Sequence, residues 1–230
     1  MSAETTSFPQ RIYQPEPGST QIVLIRHGQS QPFNPEQPFP LVDGRGDPPL
    51  TDLGHDQARR LADRLHGEAF SAIYVSNLTR TGQTAAPLAG RLGLTAVVEP
   101  DLAEVRLGEA EGGRLRQLIA EGDPLAVRMR AVGDWGVIPG AETNAEVRRR
   151  TVGALDRIVT HHPDELVAVV CHGGVIGSIL SRAAGSSPFL FNGSRHTALS
   201  HLVIGPGGWV IRSFNDAGHV GPLTEDHQLP

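Results

Sequence analysis

Short runs of aliphatic and β-branched residues alternate along the chain with segments in which apolar residues recur every three or four positions. The short runs are typical of buried strands, and the spaced pattern is typical of helices with one apolar face. The runs predict strands at residues 21–25, 72–75, 96–98 and 166–171. The spaced pattern predicts helices at residues 53–65, 79–92 and 144–159, the first behind a cap at Thr51 or Asp52.

Near the C-terminus the pattern changes. Residues 198–204 and 209–214 are two apolar runs joined by GPGG, which indicates an antiparallel hairpin. Elsewhere strands alternate with helices, and that alternation favours parallel strand pairing. The sequence therefore predicts an α/β fold: a mostly parallel central sheet with helices on both faces, and an antiparallel hairpin near the C-terminus.

Length and local composition predict one domain. The chain has 230 residues, which suffices for one sizeable core. Residues 1–20 are polar, contain proline and lack apolar periodicity, so we expect a flexible N-terminal tail there and a single domain over residues 21–230. Residues 31–49 are rich in proline and glycine and are expected to form a long loop, either a binding element over a site or a plain surface loop.

Charge and cysteine content restrict the partners. A net charge of -5 and a pI near 6.0 provide no broad positive field for nucleic acid, and no polybasic or long apolar run marks a membrane. The single cysteine, Cys171, rules out an internal disulfide, and the N-terminal segment lacks a secretory pattern, so we expect a cytoplasmic protein. The edge of the C-terminal hairpin is where a homodimer could pair.

The basic residues are all of one kind: the 20 residues counted as lysine or arginine are all arginine. Without lysine, a Walker A phosphate loop and Schiff-base or pyridoxal chemistry cannot operate. No H-E-x-x-H motif is present, and His161 and His162 stand at a predicted helix end, so we expect neither a cofactor nor a metal.

Two predicted strands end in a similar way. The run IVLI leads into Arg26-His27-Gly28, and the run LVAVVC leads into His172-Gly173. Because ligands bind beyond the carboxyl ends of strands in open α/β sheets, both pairs are expected at one site. The glycines allow backbone N–H groups to approach a ligand closely.

Two arginines complete a candidate anion site. Arg26 precedes the first histidine, and Arg80 lies near the start of the helix that follows the second predicted strand. Guanidinium groups bind phosphate oxygens in pairs, and a helix N-terminus adds its positive end. Together with the histidines they point to a phosphoryl group.

These residues stand within an ordered set of motifs: R-H-G, DPPLTDLGHDQA, SNLTRTGQTA, LAEVRLGEAEG, PGAET and CHGG, which span most of residues 21–178. In kind and order the set resembles the histidine phosphatase superfamily, which includes cofactor-dependent phosphoglycerate mutases, fructose-2,6-bisphosphatases and broad-specificity acid phosphatases. The resemblance implies a phosphoglycerate mutase-like fold, a small phosphorylated metabolite as substrate, and an acid phosphatase as the branch.

The resemblance also implies roles for individual residues. His27 would attack phosphorus and form a phosphohistidine that water then hydrolyses, while Arg26, Arg80 and a protonated His172 would bind the phosphoryl oxygens. Gly173 would lie beside the bound phosphate. A metal would not be required, because the cationic side chains would stabilise the charge of the transferring group.

The proton donor is less clear from chemistry alone, since Glu104, Glu109 and Glu111 are all near one another in sequence. Only the resemblance assigns the role to Glu104. A carboxyl group that donates a proton must be protonated, so we expect an acidic to near-neutral optimum.

Two positions depart from the pattern of relatives. An asparagine typically follows the catalytic histidine by six positions, whereas here Asn34 lies seven after His27, so its contact with phosphate is a weaker expectation. His196 stands in RHTALS where relatives more often have asparagine, and it either alters the pocket or only fills it.

Other functions fit less well. A cysteine-based phosphatase needs arginine six residues after the cysteine, but Gly177 stands there. A phosphoglycerate mutase remains an alternative, although the segment between Glu104 and Glu142 is short and lysine is absent. A catalytically inactive module that binds a phosphorylated ligand is a third reading, which the intact set of residues disfavours.

Overall fold

The computed structural model describes residues 8–10 and 12–221. Its strands are β1 (Thr20–Arg26), β2 (Leu41–Val42), β3 (Arg45–Gly46), β4 (Phe70–Val75), β5 (Ala96–Val98), β6 (Leu166–Cys171), β7 (Leu199–Gly205) and β8 (Gly208–Asp216). Its α-helices are α1 (Asp52–Leu65), α2 (Thr79–Leu92), α3 (Arg114–Ala120), α4 (Pro124–Val132), α5 (Asn144–His161) and α6 (Gly173–Ala184). Residues 1–7 and 11 of the expected tail, and residues 222–230 of the expected domain, lie outside the described residues.

One six-stranded sheet forms the centre, in the order β5-β4-β6-β1-β7-β8. Strands β5, β4, β6 and β1 pair in parallel, whereas β7 pairs antiparallel with both β1 and β8. The predicted α/β class, the mostly parallel sheet and the antiparallel hairpin near the C-terminus are therefore confirmed.

Alternation along the strands supplies a core on each face of the sheet. In β1, Ile22 and Leu24 contribute to one cluster with side chains of α5 and α6, while Ile25 joins a second cluster with side chains of α1 and α2. Successive strand residues point to opposite faces, so a strand covered by helices on both sides must be apolar on both. This arrangement explains why the central strands read as unbroken apolar runs.

The helices include some that the sequence pattern did not predict. The first predicted helix is confirmed in α1, where the side chain of Thr51 accepts a hydrogen bond from the amide of Gly54 at 3.0 Å and so provides the cap. Helix α6 escaped prediction because most of its residues are apolar or small and buried, which leaves no polar stripe. Helices α3 and α4 are short and pack on a third, smaller cluster.

Residues before position 21 already contact the body of the protein. Gly18 donates its amide hydrogen to Asp164 at 2.6 Å, and Thr20, the first residue of β1, is fully buried and donates its hydroxyl to the carbonyl of His162 at 2.7 Å. The division into tail and domain stays a prediction. No helix within the described residues is long and apolar enough to cross a membrane.

Residues 31–49 form a long loop that contains the short antiparallel pair of β2 and β3. Several contacts fix this loop to the body of the protein. The amide of Gly46 donates to the Glu111 carboxylate at 3.0 Å, and the side chain of Asn77 donates to Asp43 at 2.6 Å. The loop is therefore a fixed wall beside the carboxyl ends of the strands.

Candidate active site

The two strand-end histidines lie next to each other. Strands β1 and β6 are parallel neighbours with Arg26 opposite Cys171, so His27 and His172 leave the sheet together. The amide of His27 donates to the carbonyl of Cys171 at 3.0 Å. The centroids of the imidazole rings of His27 and His172 are 5.2 Å apart, and the rings meet edge to face.

Two hydrogen bonds fix the tautomer of His27. Its Nδ1 lies 2.7 Å from the carbonyl oxygen of Gly28, which can only accept, so Nδ1 carries the proton. Its Nε2 lies 3.2 Å from Nε of Arg80, which can only donate, so Nε2 holds the lone pair. The side chain is 5 % exposed. The ring therefore presents a nucleophilic nitrogen beside a guanidinium group.

The charge state of both histidines is set by burial and by arginines. Burial lowers the pKa of His27 well below its ordinary value, and the charges of Arg80 and Arg26 lower it further. Burial and then the charge of Arg80 lower the pKa of His172 in the same way. Both rings are therefore neutral in the free site at physiological pH, and the protonation of His172 during phosphoryl transfer stays a prediction.

His172 is completely buried and oriented by a serine. Its Nε2 lies 2.9 Å from Oγ of Ser76, which follows β4. Its Nδ1 has no hydrogen-bond partner within residues 8–10 and 12–221. A buried ring nitrogen in this position is available to a ligand oxygen.

Arg80 reaches the site from the first turn of α2. The side chain is buried, and its Nη1 donates to the carbonyl of Gly46 at 3.0 Å and lies 3.6 Å from Asp47. Burial lowers the pKa of Arg80 to about 10, so the guanidinium group keeps its charge at neutral pH. A desolvated cation beside Nε2 of His27 favours the binding of an anion there.

Asp47 supports Arg80, although sequence reasoning did not identify it. Its carboxylate accepts hydrogen bonds from the amide of Thr79 at 2.8 Å and from the hydroxyl of Thr79 at 2.6 Å. It thereby caps α2 from the 31–49 loop, since Leu78 at the cap position has no polar side chain. Asp47 belongs to the DPP segment of the sequence motif. Its contact with Thr79 could not be predicted, because the two residues are far apart in sequence.

Arg26 connects the nucleophile strand to two other elements. Its guanidinium group donates to the carbonyl of Ser194 in the turn before β7. On its other side it lies 3.7 Å from where a Cβ of Gly173 would be, at the start of α6. A small side chain would therefore fit at position 173. At position 174 it would not, because a Cβ there would be too close to the Glu104 carboxylate.

Glu104 is the acidic side chain nearest the start of α6. Its Oε1 accepts from the amide of Val105 at 2.9 Å, and its Oε2 lies 3.5 Å from the amide of Gly174. A Cβ on Gly174 would stand 2.8 Å from that carboxylate, so glycine allows this approach. The charge of Glu104 also raises the pKa of Arg80 and so offsets part of the effect of burial.

The two rival glutamates occupy different surroundings. The Glu111 carboxylate accepts from the amides of Leu107 and Gly46, and it thus joins the 31–49 loop to the segment after Glu104. Glu109 is exposed. Glu104, which reaches the start of α6, thus differs in its surroundings from both other glutamates.

A buried carboxylate, that of Glu142, binds the two arginines that hold the backbone of Glu104. It accepts hydrogen bonds from Arg150 at 2.8 and 3.0 Å and from Arg45 at 3.3 Å. Both arginines also donate to the carbonyl of Glu104, Arg45 at 2.6 Å and Arg150 at 3.2 Å. Burial raises the pKa of Glu142, but the bonds from Arg150 and the amide of Arg106 outweigh it, so the pKa lies below its usual value.

Replacement of Glu142 by leucine is expected to lower the free energy of unfolding by about 3–5 kcal/mol, because two half-buried guanidinium groups lose their carboxylate. Urea denaturation at neutral pH measures the loss, and exposed Glu121→Ala is the control. Since the folded-state pKa of Glu142 is depressed, its contribution is present above the unfolded pKa and is lost as the pH falls through the folded value. The difference from wild type should therefore shrink in acid; a constant or negligible difference contradicts the role.

The side chain of Asn34 takes part in a local hydrogen bond of the 31–49 loop. Asn34 is exposed, and its side-chain oxygen accepts from the amide of Glu36 at 3.0 Å within its own turn. Its contact with phosphate stays a prediction. His196, in contrast, lies beside His27, with 6.3 Å between the ring centroids. Within the described ranges, no group of three or more histidine, cysteine or acidic side chains could hold a metal ion.

A comparison with protein families identifies the superfamily to which this fold and these site residues belong. The chain belongs to the histidine phosphatase superfamily, branch 1, whose family model matches residues 22–217. Among curated proteins it is 30% identical, over 210 residues, to "Probable phosphoglycerate mutase GpmB" of Yersinia enterocolitica, with 87% of this chain and 94% of that protein covered. The resemblance drawn from the motifs is confirmed at the level of the superfamily.

Solved structures agree with the fold. The structure of mycobacterial glucosyl-3-phosphoglycerate phosphatase superposes with a TM-score of 0.71 at 25% identity and covers 86% of this chain and 99% of that one. Phosphoglycerate mutase from Bacillus anthracis superposes with a TM-score of 0.73 at 21% identity and covers 89% and 96%. Proteins named as phosphatases and proteins named as mutases thus share this architecture.

Proposed function

We propose that this protein is a phosphatase that hydrolyses small phosphomonoesters through a phosphohistidine on His27, with Glu104 as the proton donor. The observation that carries the proposal is the state of the His27 ring. Its proton is held on Nδ1 by Gly28, and its Nε2 lone pair faces the guanidinium group of Arg80. A neutral, oriented imidazole beside fixed cations is what in-line attack on a phosphoryl group requires.

In the first step, Nε2 of His27 forms a bond to phosphorus as the bond between phosphorus and the ester oxygen breaks. Arg26 and Arg80 stabilise the charge on the three remaining oxygens, and the buried ring of His172 donates to one of them once the incoming dianion favours its protonation. Glu104 gives its proton to the leaving oxygen, which departs as an alcohol.

In the second step, water attacks the phosphorus of the phosphohistidine and the bond between phosphorus and nitrogen breaks. Glu104, now a carboxylate, takes the proton from the water. Inorganic phosphate leaves, and His27 regains its neutral form. Both steps use only side chains of the protein and water. The substrate is a small phosphorylated metabolite.

The second candidate function is that of a mutase, in which the phosphoryl group on His27 is transferred to a hydroxyl group of an organic molecule. The relative named as a phosphoglycerate mutase favours it. Both reactions share the first step, so the fate of the phosphohistidine separates them. A mutase protects it from water and transfers it to another hydroxyl. Here the chain lacks lysine, which makes a doubly charged phosphoglycerate a poorer match.

Phosphate release decides between these functions. With p-nitrophenyl phosphate in EDTA, at about pH 4 to 8, we expect turnover that peaks on the acidic side of neutrality. With 3-phosphoglycerate, free phosphate indicates hydrolysis and 2-phosphoglycerate indicates mutase activity. No release of phosphate from any of a panel of monoesters rejects the phosphatase, and formation of the isomer in its place supports the mutase.

The histidines of the free site should resist protonation. Because burial depresses the pKa of His27 and His172, their ring signals in NMR should not titrate between about pH 7 and 5. The unfolded chain takes up these protons below its histidine pKa of about 6.5, so the free energy of unfolding should fall as the pH drops below that value. A titration midpoint near the ordinary value for either ring contradicts the neutral site.

A further inference from the structure

The turn before β7 brings a third imidazole to the nucleophile. His196 lies with its ring centroid 6.3 Å from that of His27, and the two ring planes are tilted by 45°. The phosphohistidine mechanism proposed above makes no use of this side chain.

Arg26 holds this turn at both ends. The carbonyl of Arg26 accepts from the amide of Thr197 at 3.0 Å, and its guanidinium group donates to the carbonyl of Ser194. The residue immediately before the nucleophile thus fixes the residues on either side of His196. The position of His196 is consequently tied to that of His27.

Backbone strain marks the same turn. Thr197 is fully buried and has φ +56°, a left-handed conformation that β-branched residues rarely adopt. Its hydroxyl lies 2.7 Å from the carbonyl of His196 and 3.1 Å from the ring of His219. Such strain persists only where surrounding contacts enforce it, and it concentrates at functional sites. Here the enforced conformation sets the direction of His196.

His196 is buried near two arginine charges. Its pKa is lowered to about 3, first by burial and then by the charges of Arg26 and Arg116. The pKa of His172, in contrast, is lowered by burial and then by the charges of Arg80, Arg150, Arg26 and Arg45. Arg116 binds Ser30 and Gln31 at the start of the 31–49 loop. The charge of Arg116 thus connects His196 to the start of the 31–49 loop.

In the 31–49 loop, the side-chain oxygen of Asn34 accepts a hydrogen bond within its own turn. The ring nitrogens of His196 make no hydrogen bond to any of the described residues. A neutral imidazole has one N–H donor and one acceptor. Reacting atoms stand about 3–3.5 Å apart, and the 6.3 Å between the ring centroids of His27 and His196 makes His196 a neighbour of any phosphoryl group bound at His27.

We propose that His196 is a phosphoryl-binding residue, which donates its ring N–H to the phosphoryl oxygen on the side of the 31–49 loop. This inference rests on the proposed function and adds a ligand to its site. A group that binds the phosphoryl oxygens affects every substrate equally, whereas a group that contacts the alcohol does not.

Two variants test the role: His196→Leu removes the donor, and His196→Asn keeps an N–H of similar reach. We expect His196→Leu to lower kcat/KM about 10- to 100-fold, by the same factor for p-nitrophenyl phosphate and for an alkyl phosphate. Inhibition by vanadate, which imitates the transferring phosphoryl group, should weaken by a similar factor. His196→Asn should recover most of the loss, and His201→Leu, a half-buried histidine on β7, should behave as wild type.

Three results overturn the assignment: activity of His196→Leu within twofold of wild type, a loss that differs between the two substrates, or equal losses in the leucine and asparagine variants. Urea denaturation separates a folding defect from a binding defect. If wild type releases no phosphate, the proposed function fails, but calorimetric binding of vanadate to wild type and His196→Leu still tests the ligand. Equal affinities then reject it.

Discussion

Replacement of His27 by alanine is expected to lower phosphatase turnover by about 10⁴-fold or more, because no other group can form the covalent intermediate. The variant should fold, since the ring contributes little to the apolar clusters. Release of phosphate from p-nitrophenyl phosphate measures the loss, and it also reveals any contaminating phosphatase. His66→Ala, at an exposed histidine that ends α1, is the matched control and should retain full activity.

A trapping experiment gives the same prediction a second readout. Brief exposure to a labelled monoester followed by rapid quench should place phosphate on wild type and not on His27→Ala. The bond should be stable in base and labile in acid, as expected of a phosphorus–nitrogen linkage. Label that survives acid, or that persists in the alanine variant, would assign the nucleophile to another residue.

The second large effect is expected at Glu104. Glu104→Gln keeps the shape of the side chain but removes the transferable proton, so kcat/KM for an alkyl phosphate should fall by about 10²–10⁴-fold. With p-nitrophenyl phosphate the loss of kcat/KM should be far smaller, because nitrophenolate leaves without protonation and kcat/KM does not include the attack of water in the second step. The dependence on the leaving group identifies a proton donor and not a phosphate ligand.

Glu109→Gln is the matched control, since Glu109 is close in sequence but exposed. It should leave both substrates unaffected. Equal losses of kcat/KM on the two substrates in Glu104→Gln would assign Glu104 to binding, and a leaving-group effect in Glu109→Gln would transfer the role of acid to that residue.

Much of the fold followed from local pattern. The predicted strand at residues 166–171 coincides with β6, and the predicted helix at residues 79–92 coincides with α2. Period and residue type decide such elements because each is stabilised mainly by its own buried face. Helix α6 was not visible, since a helix buried on nearly all sides has no polar stripe to reveal its period.

The sequence by itself determined the family, the order of the elements and the two strand ends that meet, because these depend on residue type and on parallel pairing. Tertiary structure decided the chemistry at His27 and His172. Their neutral state depends on burial and on arginines brought from other elements. Contacts distant in sequence also separated Glu104 from Glu111 and brought His196 to His27. Burial and distance set proton affinity, and neither can be read from residue order.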